Sequence, residues 1–224
     1  MNWYALFIIQ ILVMYLSTQF AMHKIFHGLM HLTHNPKISF YLLSLMYLPG
    51  TILHEMSHFL TSIVLFVMPH RFDLIPEIEE HERGYAMKFG AVHTQATDPI
   101  RQMLISLAPL VYGIGFFYSM FAFNIFPHPN MWVNVLGIYL SFSVSSSMFS
   151  SRHDIRQSLI LIPILLLVVS VLIGFQIDLE PLFLSPGAVG LLKRLNLYFA
   201  SATVINLVIV AVLFRIRPYH RKIA

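Results

Sequence analysis

Two histidines and a glutamate stand at helical spacing in the run Thr51-Ile52-Leu53-His54-Glu55-Met56-Ser57-His58. Residues four apart share one face of a helix, so both imidazoles can reach a single zinc ion. Glu55, beside them, is placed to take a proton from a water that the metal activates. The chemistry this spacing predicts is metal-assisted hydrolysis. The setting strengthens it, because a carboxylate and two imidazoles inside an apolar stretch cost several kcal/mol unless liganded, paired or wet. The chain has no cysteine, which excludes thiolate ligands and disulfides and leaves His, Asp and Glu as the metal donors.

A catalytic zinc takes three protein ligands and keeps one position open, so a third ligand is required. Asp154, in Ser150-Ser151-Arg152-His153-Asp154-Ile155-Arg156, is the leading candidate. Two membrane crossings after the His54 segment return the chain to the end of that helix, which makes the approach topologically possible. Asp154 could instead cap a following helix or pair with Arg152 or Arg156. Glu77, Glu79, Glu80 and Glu82, roughly 20 residues beyond the motif, form a rival set in a polar loop. His153 is a further candidate ligand or hydrogen-bond donor.

A second histidine group, His23, His27, His31 and His34, forms one helical stripe just after the first apolar segment. It reads either as metal donors or as a polar interfacial face beside Phe26, Leu29 and Met30. Asn35-Pro36 should end that segment, since the residue before proline avoids helical dihedrals. Box-like histidine spacings raise an alternative chemistry, a membrane non-haem di-iron desaturase or hydroxylase. Against it, no two histidines are adjacent and the later half has no matching cluster. A non-catalytic scaffold or a transporter is a third class, but most later apolar segments carry almost no polar pairs of the kind transport uses.

The elements that must position these residues follow from composition. The chain has 224 residues, 57% hydrophobic and 11% charged, with mean hydropathy +0.72; that is a composition suited to lipid. Apolar segments long enough to span a bilayer lie near 3–22, 39–68, 102–126, 131–150, 157–176 and 195–214. Backbone in lipid must satisfy its own hydrogen bonds, so each should be a helix. The expected fold is a single all-α membrane domain over 1–224, a polytopic bundle of about six transmembrane helices. In the polar stretch from Pro69 to Arg101, Tyr85, Met87 and Phe89 alternate with other residues, which predicts a short β-strand or hairpin near the site, suited to pairing with an extended substrate.

The first segment has no basic leader region or small-residue cleavage site, so it reads as an anchor. With six spans, Arg71, Arg83, Lys88, Arg101, Arg152, Arg156, Arg215, Arg217, Arg221 and Lys222 fall on one side, and only Lys24, Lys37, Lys193 and Arg194 on the other. That bias predicts both termini in the cytoplasm. The net charge of +4 then belongs to a fringe facing anionic lipid, and no soluble basic face for nucleic acid is visible.

Taken together, His54, Glu55, His58 and Asp154 resemble the site-2 protease family of intramembrane zinc metalloproteases, over roughly residues 40 to 160. Ile105-Ser106-Leu107-Ala108-Pro109-Leu110 is similar to the segment that opens that family's middle core helix. The family's glycine in that segment is absent, and a serine-rich stretch replaces its usual residues around the aspartate. The resemblance implies His54, His58 and Asp154 as zinc ligands and Glu55 as general base. It also implies membrane-protein substrates cut in or near their transmembrane helices, in a compact member without a PDZ domain.

Overall fold

The computed structural model describes residues 2–73, 77–81, 84–88, 91–94, 97–149, 152–176 and 180–214. The first helix, α1 (Trp3–Thr33), starts where Asn2 Oδ1 accepts from the amides of Tyr4 and Ala5, and it runs straight through the histidine stripe. It stops at His34, whose left-handed φ of 54° turns the chain. Asn35 then caps α2 (Pro36–Val64) by accepting from the amides of Lys37 and Ile38, with Pro36 in the first turn where its missing N–H costs nothing. The expected break at Asn35-Pro36 is therefore a helix-to-helix corner, closed by a 2.6 Å hydrogen bond between Thr33 and Ser39 hydroxyls.

Four short strands follow: β1 (Pro69–Asp73), β2 (Glu77–His81), β3 (Gly84–Lys88) and β4 (Ala91–Thr94). They pair antiparallel as β1 with β4 and β2 with β3, and β1 and β4 adjoin α2. Asp98 accepts from the Arg101 amide at the start of α3 (Pro99–Ala122). Next come α4 (Met131–Ser147), α5 (Arg152–Ser158), α6 (Leu161–Gly174), α7 (Glu180–Leu184) and α8 (Pro186–Val212).

Four helices among the described residues are long and apolar enough to cross a membrane: Trp3–Thr33, Pro99–Met120, Arg156–Gly174 and Pro186–Val212. The remaining two expected spans fall short for different reasons. The helix α2 has the length but carries the polar motif, while α4 has 17 residues, about 26 Å at 1.5 Å per residue against about 30 Å of hydrocarbon. The sixth expected span begins earlier than its apolar run, at Pro186. Large apolar side chains such as Leu12, Phe20, Leu166 and Val208 face outward, an exterior suited to lipid.

Helices α2, α3 and α4 pack in alternating directions. Tyr47 packs against Phe142 with tilted rings and Gly50 meets Ser143, so α2 and α4 run parallel. Met120 receives the Ser141 hydroxyl while Gly113 faces Met148, so α3 opposes α4. By contrast α1 and α8 run parallel: Trp3 pairs with Asn196, Phe7 stacks on Phe199, and Lys24 reaches Phe214. The amino end of α1 and the carboxyl end of α8 therefore lie at opposite ends of that pair. Two apolar clusters tie the pair to the rest, one of Met14, Phe117, Val144, Met148, Tyr198, Phe199 and Ala202, the other of Ile25, Leu43, Tyr47 and Phe142.

Helices α2 and α4 approach closely at Gly50. Buried Ser141, Ser143, Ser145, Ser146 and Ser147 make the last turns of α4 thin, and two of these hydroxyls return to their own helix, Ser145 to Phe142 and Ser147 to Ser143. Small residues of this kind let helix backbones come together where no water drives association. At the contact the Gly50 amide donates to Ser143 Oγ at 2.9 Å, and a Cβ on Gly50 would overlap the Ser143 carbonyl. Gly50→Ala should thus force α2 and α4 apart at a cost of about 1–3 kcal/mol. Thermal unfolding in detergent checks this, and an unchanged midpoint would refute the close approach.

Candidate metal centre

Helix α2 supplies two of the groups. His54 and His58 are one turn apart and buried, with rings 4.7 Å apart and nearly perpendicular at 87°. Their Nε2 atoms approach to 3.2 Å. The third group comes from α5, where Asp154 places Oδ2 3.5 Å from His54 Nε2 and 3.5 Å from His58 Nε2. Among the described residues this is the group of three His, Asp or Glu side chains whose ligand atoms converge, and it could hold a metal ion.

The dimensions pass a direct test. A tetrahedral ion bonded at about 2.0–2.1 Å holds its donors about 3.3–3.4 Å apart, and the observed edges are 3.2, 3.5 and 3.5 Å. The tautomer fits as well. His58 Nδ1 lies 2.8 Å from the Ile105 carbonyl of α3, which can only accept, so Nδ1 carries the hydrogen and Nε2 presents a lone pair to the centre. Metal-bound histidines are commonly oriented in this manner by a carbonyl behind them.

Asp154 is held from its own side. Gln157, one turn along α5, takes a 3.2 Å hydrogen bond from the Gln102 amide and another from the Ser106 hydroxyl, so α5 is fastened to α3. The Ser158 hydroxyl donates to the Asp154 carbonyl at 2.7 Å. Burial raises the tendency of the Asp154 carboxyl to hold its proton, but the two imidazoles outweigh it and keep the group well below the usual carboxylate range.

Glu55 is buried on α2 and close enough to act electrostatically on His58, yet it is not one of the three converging ligands. The segment Ile105–Leu110 lies in the interior of α3 rather than opening it. The side chains of Glu77, Glu79, Glu80, Glu82 and His153 lie outside the described residues. The stripe His23, His27, His31 and His34 sits on α1 and at its end, and forms no second ligand group among the described residues. Sequence reasoning missed the supports, Ile105, Gln102, Ser106 and Gln157, because nothing in a residue's type marks it as a neighbour of another helix.

Asp154→Asn keeps the shape of the donor and removes its charge, so it should weaken metal retention roughly 10-fold or more. Equilibrium dialysis followed by elemental analysis measures this, and wild-type retention in that variant would exclude Asp154 as a ligand. No family model, no curated protein and no solved structure matches this chain.

Proposed function

We propose that the chain is a zinc-dependent intramembrane endopeptidase of the site-2 protease type, hydrolysing peptide bonds in or near transmembrane segments of membrane-protein substrates. One observation carries this reading: a carboxylate roughly a hundred residues downstream converges on both Nε2 atoms of the His54-Glu55-Met56-Ser57-His58 motif. Three protein donors leave a coordination position for water or substrate, the pattern of catalytic rather than structural zinc.

In this reading His54, His58 and Asp154 hold the ion. When bound, zinc supplies a Lewis acid that eases deprotonation of water and polarises a carbonyl. Glu55 accepts the proton lost by the attacking water and later delivers it to the leaving amine, so the amide C–N bond breaks and the water oxygen stays with the new carboxylate. A peptide bond inside a helix is shielded by its own turn, so the substrate must extend locally before it reacts. The β1–β4 pair beside α2 offers an edge to which such an extended segment can add. The same His-His-Asp donor set also suits a mononuclear iron(II) centre. Glu55, inside the motif, favours hydrolysis over oxidation.

Expected for Glu55→Gln is loss of cleavage by about 100-fold or more with metal content unchanged. The assay is fragment release from single-span reporter proteins reconstituted with the purified chain. Proteolysis at the wild-type rate would rule out the mechanism, and bound iron in place of zinc would favour the oxidative reading.

For the membrane path, α1 and α8 crossing in the same direction require an odd number of crossings between them. Helices α2, α3 and α4 supply three, making five in all. Helix α6, although it lies in a stretch long and apolar enough to span, stays outside the count in this reading, because a sixth crossing would set α8 against the direction of α1. The chain has no cysteine of its own, so a single cysteine placed before α1 and another placed after α8 can be labelled cleanly. An impermeant maleimide should reach them from opposite faces of sealed vesicles; labelling from one face would return the count to six.

A further inference from the structure

The hydrogen bond that orients His58 uses a carbonyl that an ordinary helix would not offer. Ile105 lies inside α3, where its oxygen would normally accept from the backbone N–H four residues on. That position is Pro109, which is inside the helix and has no N–H to give. The freed oxygen stands 2.8 Å from His58 Nδ1 instead. The next residue, Ser106, donates to Gln157 on the element that carries Asp154. One stretch of α3 therefore touches both ligand-bearing elements, with the proline at its end.

We propose that Pro109 is a positioning residue of the metal centre: by withholding its N–H it leaves the Ile105 carbonyl to hold His58 in the tautomer and orientation that ligation needs. The inference rests on the reading of His54, His58 and Asp154 as ligands, and is independent of which metal binds and of proteolysis. The proline's usual cost, an unmatched helical carbonyl, is offset here because α2 brings a donor to the vacated acceptor. Its benefit is specific to a histidine, since no other side chain both donates to a carbonyl and ligates through a second nitrogen.

Pro109→Ala restores a backbone N–H at the one place where it competes for the Ile105 oxygen. Two quantities test the proposal on the full-length purified chain: the Kd for Zn2+ from competition with a chromophoric chelator, and the His58 Nδ1–H resonance in 15N-histidine-labelled protein, assigned through its loss in His58→Gln. The expected result is a Kd raised roughly 10- to 100-fold, with the resonance moved upfield and exchanging faster, while far-UV helicity is retained. An unchanged Kd overturns the proposal, and so does a weaker Kd with an unmoved resonance, which would assign the loss to helix shape. Should Pro109→Ala fail to fold, the wild-type resonance decides: a downfield, exchange-protected Nδ1–H supports the proposal, and a freely exchanging one refutes it. A wild-type chain that binds neither Zn2+ nor Fe2+ removes the metal-centre reading and the proposal together, whereas metal binding indifferent to Pro109→Ala removes the proposal alone.

Discussion

The structure turns on three electron-pair donors brought together inside an apolar bundle. His54 Nε2, His58 Nε2 and Asp154 Oδ2 lie 3.2–3.5 Å apart, and none of the three side chains is fully exposed to water. Donor atoms at that separation repel unless something positive is placed among them. Every nearby element serves to hold that arrangement: the turn of α2 sets the histidine pair, α3 fixes one ring from behind, and α5 brings the carboxylate.

Holding it requires close helix contacts without water as the driving force. The serine face of α4 and Gly50 of α2 let backbones approach where larger side chains would separate them. The polar groups this leaves inside are mostly closed locally, as with Ser57 to the His54 carbonyl and Ser62 to that of Phe59. Burial is uneven beyond this frame: α6 buries nothing, while α2 buries residues along its whole length. The helix that carries His54 and His58 is therefore buried along its length, in contrast to α6.

Much of the site was legible in the sequence because its spacing has a local cause. His54 and His58 announce themselves through the four-residue repeat of a helix, and Asn35-Pro36 through the dihedral limits of proline. Asp154 was reachable only by following the direction of successive crossings. The parallel course of α1 and α8 was not legible, since apolar periodicity fixes neither the direction of a helix nor its neighbours. The break between α5 and α6 falls at Leu159 and Ile160, inside the apolar run that begins there, so composition does not mark it. Nor does any residue type reveal that Gln157 clasps Ser106; that contact exists only once two helices have packed.

A lone pair of buried histidines would not require a metal, because one proton shared between two Nε2 atoms satisfies both. The carboxylate changes this. A proton on either imidazole can point along only one edge of the triangle, toward the other ring or toward Asp154, and leaves the third donor facing a lone pair. With His58 Nδ1 already committed to the Ile105 carbonyl, that ring becomes a cation if it takes a second proton. A divalent ion meets all three donors at once and needs no ring to be charged. The Asp154 carboxyl is thus the group that distinguishes this cluster from a common histidine pair and completes three donors that could hold a metal ion.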